Sequence, residues 1–411
     1  MNLDLLERFV REGTLILHIG DEQHRFGNGL PVAGMRLQSA SVVNRILRNP
    51  QVNLGETYLA GDWQVAEGTL HDLLSVLRRN LERQLAEPGR ARLPGILLQS
   101  WNGLSASRRN VSHHYNLDED LFRACLDAQM HYSCAYFRDP DMSLEAAQHA
   151  KSEHIARKLC LRPGMRVLDI GCGWGSLAQH LAEHHDVFVT GLTLSEEQLR
   201  VARQSVAMRG LGDRVELRLE DYRLHGGVYD RIVSVGMFEH VGRRNYRRFF
   251  RAVAQMLNAD GVAVLHTIAN SGPPAPVSPW IRRHIFPGGY IPSLSDMAPQ
   301  VEKARLVSTD IEVLRRHYAL TLREWQRRFQ RQRERFVASH GETFCRMWEF
   351  YLVSSQTAFE VGDLVVLQWQ LARHNLGVPV TRDYLYGDGS NACRNPLRAA
   401  AGVSSRNGSA A

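Results

Sequence analysis

The 411-residue sequence predicts an α/β protein, a parallel sheet wound with helices on both faces and preceded by a small α+β unit. Segments of helical and strand-like texture alternate from about residue 140 to 270, as successive βα units require. Within that stretch the apolar run Val167-Leu168-Asp169-Ile170 enters a glycine-dense turn, Gly171-Cys172-Gly173-Trp174-Gly175, and then a helix. Residues 1 to about 100 differ in texture, with short apolar runs broken at Gly27-Asn28-Gly29, Asn49-Pro50 and Gly61-Asp62.

The first unit closes on a helical stretch from about Thr69 to Leu85, and Pro88-Gly89 and the polar run Asn102 to Asn110 read as linker. Ser143 is placed to cap a helix running to about Cys160, and Pro163-Gly164 ends the connection behind it. Candidate strands follow at Met165 to Ile170, Val187 to Leu194, Val215 to Leu219, Tyr229 to Val235 and Val262 to Ile268. Ser195-Glu196-Glu197-Gln198 has the spacing of a capping box, so a helix starts after the second strand. Segment 271–293 holds Pro273, Pro274, Pro276, Pro279, Pro287 and Pro292, with Trp280, Phe286 and Tyr290 among them. It is expected to be neither regular helix nor central strand but a long functional loop or lid. The tail from Pro396 to Ala411, rich in Ala, Ser, Gly and Asn, is expected to be disordered. The predicted limits are thus 1–100 for the small unit, 101–395 for the catalytic domain and 396–411 for the tail.

With 44% apolar residues the chain is long enough for a core domain of about 250 residues and a smaller one. No run approaches the roughly 18 to 20 apolar residues that span a bilayer, and Met1 to Val10 carries Asp4, Glu7 and Arg8. A cytoplasmic protein is expected. The six cysteines are scattered without CxxC or Cys/His metal spacing, which fits reduced thiols. His113-His114 and His184-His185 are adjacent pairs whose side chains diverge on a regular element, so no metal is expected. The net charge is +7 and the pI about 9.2. The arginines cluster at Arg243, Arg244, Arg247, Arg248 and Arg251, and again at Arg327, Arg328, Arg331, Arg333 and Arg335. Such clusters suit an anionic lipid surface or are simply solvated. No nucleic-acid reader motif accompanies them, so no nucleic-acid partner is expected.

The glycine turn has GxGxG spacing rather than the GxGxxG of dinucleotide binders, and Thr193 and Leu194 close the second strand where such binders place an acid. Glycines there let the backbone approach a ligand closely. Asp169 and the first amides of the following helix can receive the amino-acid end of a nucleoside sulfonium. Glu220-Asp221-Tyr222 ends the third strand on the same carboxyl edge, where an acid can accept from an adenine amine or stand merely exposed. The candidate cofactor residues of this edge are therefore Asp169, Gly171, Cys172, Gly173, Gly175, Asp221 and Tyr222.

Several stretches resemble the cyclopropane fatty acid synthases and the related mycolic acid cyclopropane synthases. They are Met130-His131-Tyr132-Ser133-Cys134-Ala135-Tyr136-Phe137, the glycine turn with Trp174, Gly191-Leu192-Thr193-Leu194-Ser195, Asp221-Tyr222-Arg223, Gly236-Met237-Phe238-Glu239-His240-Val241-Gly242 and Leu265-His266-Thr267-Ile268. They run in family order over roughly residues 110–370. The resemblance implies a Rossmann-like class I methyltransferase fold with a mostly parallel seven-stranded sheet, and S-adenosylmethionine (SAM) as cofactor. It implies SAM contacts from Tyr132, Ser133, Gly171, Gly173, Thr193, Leu194, Gln198 and Asp221. It further implies a bicarbonate ion held around Cys134, Glu239, His266, the backbone of Ile268, and Tyr318. On the residues alone, Cys134 reads more often as a buried small apolar residue and His266, in an apolar strand, more often as a satisfied core histidine.

The activity so implied is methylene transfer to the cis double bond of an unsaturated phospholipid chain, at the inner face of a membrane touched by the small unit, the Pro-rich segment and an Arg-rich face. A homodimer is implied by the resemblance alone. Ser355 stands where some members carry a cysteine, and an un-ionised hydroxyl without an evident base makes a poor nucleophile, so covalent catalysis from that helix is not expected. Three alternatives stay open: a methyl- or methylene-branching enzyme of the same fold, a methyltransferase for a small soluble acceptor, and a silent lipid-binding protein.

Overall fold

The computed structural model describes residues 3–86 and 119–386. The first stretch contains α1 (Asp4–Phe9), β1 (Thr14–Ile19), β2 (Glu22–Gly27), β3 (Val32–Leu37), α2 (Ala40–Arg48), α3 (Pro50–Leu59), β4 (Trp63–Glu67) and α4 (Leu70–Ala86). Its four strands form a sheet of order β2-β1-β3-β4, with β1 and β3 parallel and the outer pairs antiparallel. Leu15, Leu17, Ala33, Met35, Trp63 and Val76 fill one core between this sheet and its helices.

The second stretch contains α5 (Glu119–Cys125), α6 (Leu144–Lys158), β5 (Arg166–Ile170), α7 (Ser176–His185), β6 (Phe188–Thr193), α8 (Glu196–Met208), β7 (Val215–Leu219), β8 (Tyr229–Val235), α9 (Tyr246–Met256) and β9 (Leu257–Asn270). After these come α10 (Pro279–His284), α11 (Leu294–Lys303), β10 (Val307–Leu314), α12 (His317–Arg331), α13 (Arg333–His340), α14 (Glu342–Glu360), β11 (Leu364–Ala372) and α15 (Asp383–Tyr386). The seven-stranded sheet has the order β10-β11-β9-β8-β5-β6-β7, and only β11 runs against the rest. Strands buried on both faces read as nearly continuous apolar runs, and the period-2 alternation then sorts them. Val167 joins the cluster under α6, α7 and α8, while Leu168 and Ile170 join the cluster under α9 and α11. Strand order reverses between β5 and β8, which leaves a crevice outside their carboxyl ends.

A third cluster lies at that edge, formed by α5, the segment Met130–Phe137, α12 and α14. The small unit docks against α10 and α14. A Cβ on Gly55 would lie 2.4 Å from Nε1 of Trp280, the Tyr58 hydroxyl donates to Glu349 (3.4 Å), and His71 pairs with Glu360 (2.6 Å).

Two expectations need correction. Segment 271–293 includes a regular helix, α10, because Pro279 sits in its first turn, where the missing N–H has no helical partner to lose. Ser195 does cap α8, its Oγ accepting from Gln198 N (3.2 Å), but the Gln198 side chain does not reach back as a capping box requires; its Oε1 accepts from the Thr193 hydroxyl instead (3.2 Å). The linker at Pro88-Gly89 and Asn102 to Asn110, and the tail from Pro396, lie outside the described residues.

Candidate active site

At the end of β5 the amides of Gly171 and Cys172 both donate to the Leu192 carbonyl (2.9 and 2.8 Å), which turns the chain out of the sheet. Gly171 and Gly173 both lie at positive φ (+88° and +54°), where side chains are strained. A Cβ at Gly171 would stand 2.6 Å from Met237, whereas one at Gly173 would meet only Gln198 Nε2, at 3.9 Å. Close approach of β8's outgoing loop therefore demands glycine at the first position.

A cleft opens here. It is lined by Tyr132, Ser133, Asp169, Gly171, Cys172, Gly173, Thr193, Leu194, Gln198, Asp221 and Tyr222 among others. Gly175 is the one cofactor candidate outside the lining. It precedes α7 at φ +77°, and a Cβ there would press on Ala202 (3.1 Å), so its need for glycine is helix packing.

Burial raises the Asp169 carboxyl to about 7, against the pull of the Lys151 ammonium. Lys151 lies 1% exposed on α6 and donates to the Ser133 hydroxyl (3.1 Å), while Gln148 donates to the Ser133 carbonyl (3.0 Å). Desolvation brings this lysine down to about 8. It lines the cleft, and sequence reasoning passed over it because one lysine in a helix carries no spacing signal. Asp221 is gripped bidentately by Arg223 (Nε–Oδ1 2.8 Å, Nη2–Oδ2 2.5 Å). A carboxylate has about four acceptor positions, so this grip leaves room for a further donor.

The five residues assigned to the anion do not line this cleft. Glu239 and Ile268 are joined directly, the Ile268 amide donating to Glu239 Oε1 (2.6 Å). Glu239 Oε2 is buried without a hydrogen-bond partner, and desolvation pushes this carboxyl up to about 7. His266 lies two residues before Ile268 on β9 and so on the same face. Gln368 meets its Nδ1 at 3.1 Å, and burial drives its pKa to about 3, so the ring is neutral. If the Gln368 amide is the donor, the ring proton sits on Nε2. Cys134 is fully buried and burial holds its thiol far above the usual range, as expected of a packed thiol rather than a thiolate. Cys134 and Tyr318 belong to the third cluster, against which Ile268 packs. Within it Tyr132 stacks on Trp325 (5.1 Å between centroids), Tyr318 meets Trp325 edge-on (5.8 Å) and Phe122 lies 5.8 Å from Trp174. Tyr132 and Trp174 belong both to the cleft and to this aromatic cluster. Ser355 is half-buried on α14.

A profile of the mycolic acid cyclopropane synthetase family matches residues 103–369, well over half of the chain. The chain belongs to that family. Members of this mycolic acid cyclopropane synthetase family share the SAM-dependent methyltransferase fold described above, and the present chain is such an enzyme. It is 39% identical over 346 residues to a cyclopropane-fatty-acyl-phospholipid synthase of Escherichia coli (strain K12), covering 84% of this chain and 88% of that one. It is 38% identical over 352 residues to the tuberculostearic acid methyltransferase UfaA1 of Mycobacterium tuberculosis, covering 81% of each. Among solved structures it resembles the mycolic acid cyclopropane synthase CmaA1 complexed with SAH and CTAB, with TM-score 0.61 and 36% identity over 64% of this chain and 98% of that one. Among the described residues no helix is long and apolar enough to cross a membrane.

Proposed function

We propose that this enzyme transfers a methylene unit from SAM to the cis double bond of unsaturated acyl chains in membrane phospholipids, forming a cyclopropane ring. The observation that supports the reading is that Tyr132 and Trp174 belong both to the cleft and to the aromatic cluster, against which packs Ile268, whose amide holds the buried Glu239 carboxyl. Similarity to the phospholipid synthase over most of both chains supports the substrate class.

The cleft fits SAM: a buried carboxyl at the strand end, glycines that admit a ligand close to the backbone, and the N-terminus of α7 all face one space. Bound there, SAM supplies an electrophilic methyl group. Asp169 receives the ammonium of its amino-acid end, Tyr132, Ser133, Thr193, Leu194 and Gln198 frame it, and Asp221 accepts from the adenine amine. Methyl transfer from SAM to the π pair would release S-adenosylhomocysteine and leave a carbocation on the acyl chain. The faces of Tyr132, Tyr318 and Trp325 stabilise that charge without bonding to it and exclude water. When the added methyl loses a proton, its C–H electron pair closes the ring.

The unpartnered Glu239 Oε2 has room for one more polar group, and a bicarbonate ion held by Glu239 would supply the base for that proton. With a pKa near 7, Glu239 can carry the proton that lets a carboxyl face an anion. Neutral His266 and the Tyr318 hydroxyl would be the further polar groups to hold that ion. The Ile268 amide is already engaged by Glu239 Oε1, so it acts first by holding Glu239 in place.

Similarity to a tuberculostearic acid methyltransferase at nearly equal identity keeps a branching product as the second reading, since the same cation can lose a different proton. Mass spectrometry of host lipids with and without the expressed protein decides. A gain of about 14 mass units that resists hydrogenation indicates the ring; a gain that hydrogenation changes indicates a methylene branch.

For access to lipid we infer a peripheral contact through the small unit, the Pro-rich segment and the arginines of α9. Of the two arginine clusters, the second is largely neutralised: Arg327, Arg328, Arg333 and Arg335 pair with Glu324, Glu145, Glu342 and Asp120. Arg247, Arg248 and Arg251 are exposed on α9 and form no ion pair among the described residues. Each is worth about 1 kcal/mol near an anionic surface. Replacing Arg247 and Arg251 by Glu, and sparing Arg248 because its charge acts on Asp221, is expected to weaken flotation with anionic vesicles while leaving SAM binding intact; unchanged flotation refutes this face.

A further inference from the structure

Helices α6 and α7 bring a histidine cluster together, one and two turns beyond the start of α7 that lines the cleft. His149 and Glu153 stand one turn apart on α6, and His180 and His184 one turn apart on α7, so each pair shares a helix face. Across the two helices the ring centroids of His149 and His180 are 5.1 Å apart, those of His149 and His184 5.9 Å, and those of His180 and His184 4.6 Å. One ring nitrogen from each lies within 4.8 Å of those of the other two. Glu153 Oε1 is hydrogen-bonded to Nε2 of His180 (2.7 Å) and of His185 (3.2 Å).

We propose that His149, His180 and His184 form a binding site for a late divalent transition ion such as Zn²⁺, with Glu153 as the carboxylate that orients His180. Tetrahedral zinc at about 2.0–2.1 Å from each nitrogen needs nitrogens about 3.4 Å apart, which rotation of the two exposed rings supplies. Three imidazoles select zinc-like ions over magnesium or calcium, which prefer oxygen. A carboxylate on the ligating ring is the usual outer partner of such sites. His180 is 2% exposed and anchors the site, while His149 and His184 are exposed and leave it open to the ion. Ser176, at the start of α7, lines the cleft, and His180 and His184 follow one and two turns later, so the site is distinct from the chemistry. Its effect is structural, clamping the helix that begins at the glycine turn to the helix whose Lys151 and Gln148 hold Ser133.

The test uses the full-length, tag-free chain stripped with EDTA. Calorimetric titration with ZnCl₂ is expected to show one site per chain, and ZnCl₂ but not MgCl₂ is expected to raise Tm. In the double variant His149→Ala/His184→Ala, zinc affinity falls more than about tenfold and the Tm shift disappears. Cobalt supplies a second readout on the unmutated protein: visible bands of a nitrogen-ligated tetrahedral ion support the site, and intense thiolate charge-transfer bands overturn it in favour of cysteines. Absence of stoichiometric zinc binding, or binding unchanged in the double variant, also overturns it.

Discussion

Glu239 is the residue on which the proposed chemistry turns, and its environment makes two separable predictions. In the role proposed for it, sharing a proton with a bound anion, Glu239→Gln is expected to lower ring formation by about 10²-fold or more in a lipid assay, with S-adenosylhomocysteine affinity retained. Because its folded pKa lies near 7, above the ordinary 4.5, its buried protonated form is favourable below about pH 4.5 and that advantage drains away as pH rises to 7. The neutral amide escapes this loss, so Glu239→Gln is expected to stabilise the apoenzyme by up to about 3 kcal/mol more at pH 8 than at pH 4.5, read by urea unfolding at both values. Asp169, also raised to about 7, titrates in the same window. If it receives a ligand ammonium, S-adenosylhomocysteine binding tightens as pH rises from 6 to 8, by up to roughly tenfold, and Asp169→Asn flattens that dependence in calorimetry. These side chains were legible in the sequence through the motifs around them. Lys151 was not, since its importance comes from being buried beside Ser133 and Asp169, which no linear spacing reveals.

The glycine turn shows what an element adds to its residues. Both Gly171 and Gly173 read alike in the sequence, yet only the first is pressed by another chain segment. Gly171→Ala is therefore expected to destabilise by about 2–4 kcal/mol and abolish SAM binding, and Gly173→Ala by only about 1 kcal/mol; equal effects in thermal unfolding would deny the role of Met237. Strands β7 and β8 were legible to the residue for different reasons: β7 alternates buried Val215 and Leu217 with exposed Glu216 and Arg218, as an edge strand does, and β8 carries the buried run Ile232 to Ser234. Segment 271–293 was not, because proline at a helix start and proline in a loop look the same until the flanking turn is seen. The histidine cluster escaped notice for a related reason. Adjacent residues on one helix do diverge, and it is the pairing of α6 with α7 that brings rings together.

At the scale of the whole molecule, the small unit is held by a polar clasp as well as by apolar surface. Glu349, 7% exposed, meets Tyr58 of that unit together with Gln330 (2.5 Å) and Arg333 (2.8 Å). Glu349→Ala is expected to cost about 2–4 kcal/mol in urea unfolding, and Tyr58→Phe under about 1 kcal/mol, because only the first strands buried donors. This arrangement lay beyond sequence reading, which separated the two units by texture but could not say which surfaces meet. The Pro-rich segment spans the junction: the Trp280 indole lies under Gly55, and ten residues later the Tyr290 amide donates to the Glu239 carbonyl (3.0 Å). The mycobacterial synthase is almost wholly matched by 64% of this chain, and the family profile begins at residue 103, after the small unit. Trimming the present enzyme to that minimal length would consequently uncover an indole now 1% exposed and leave a sticky scar on the catalytic half. A soluble miniature would require a polar substitute at position 280 before any deletion upstream.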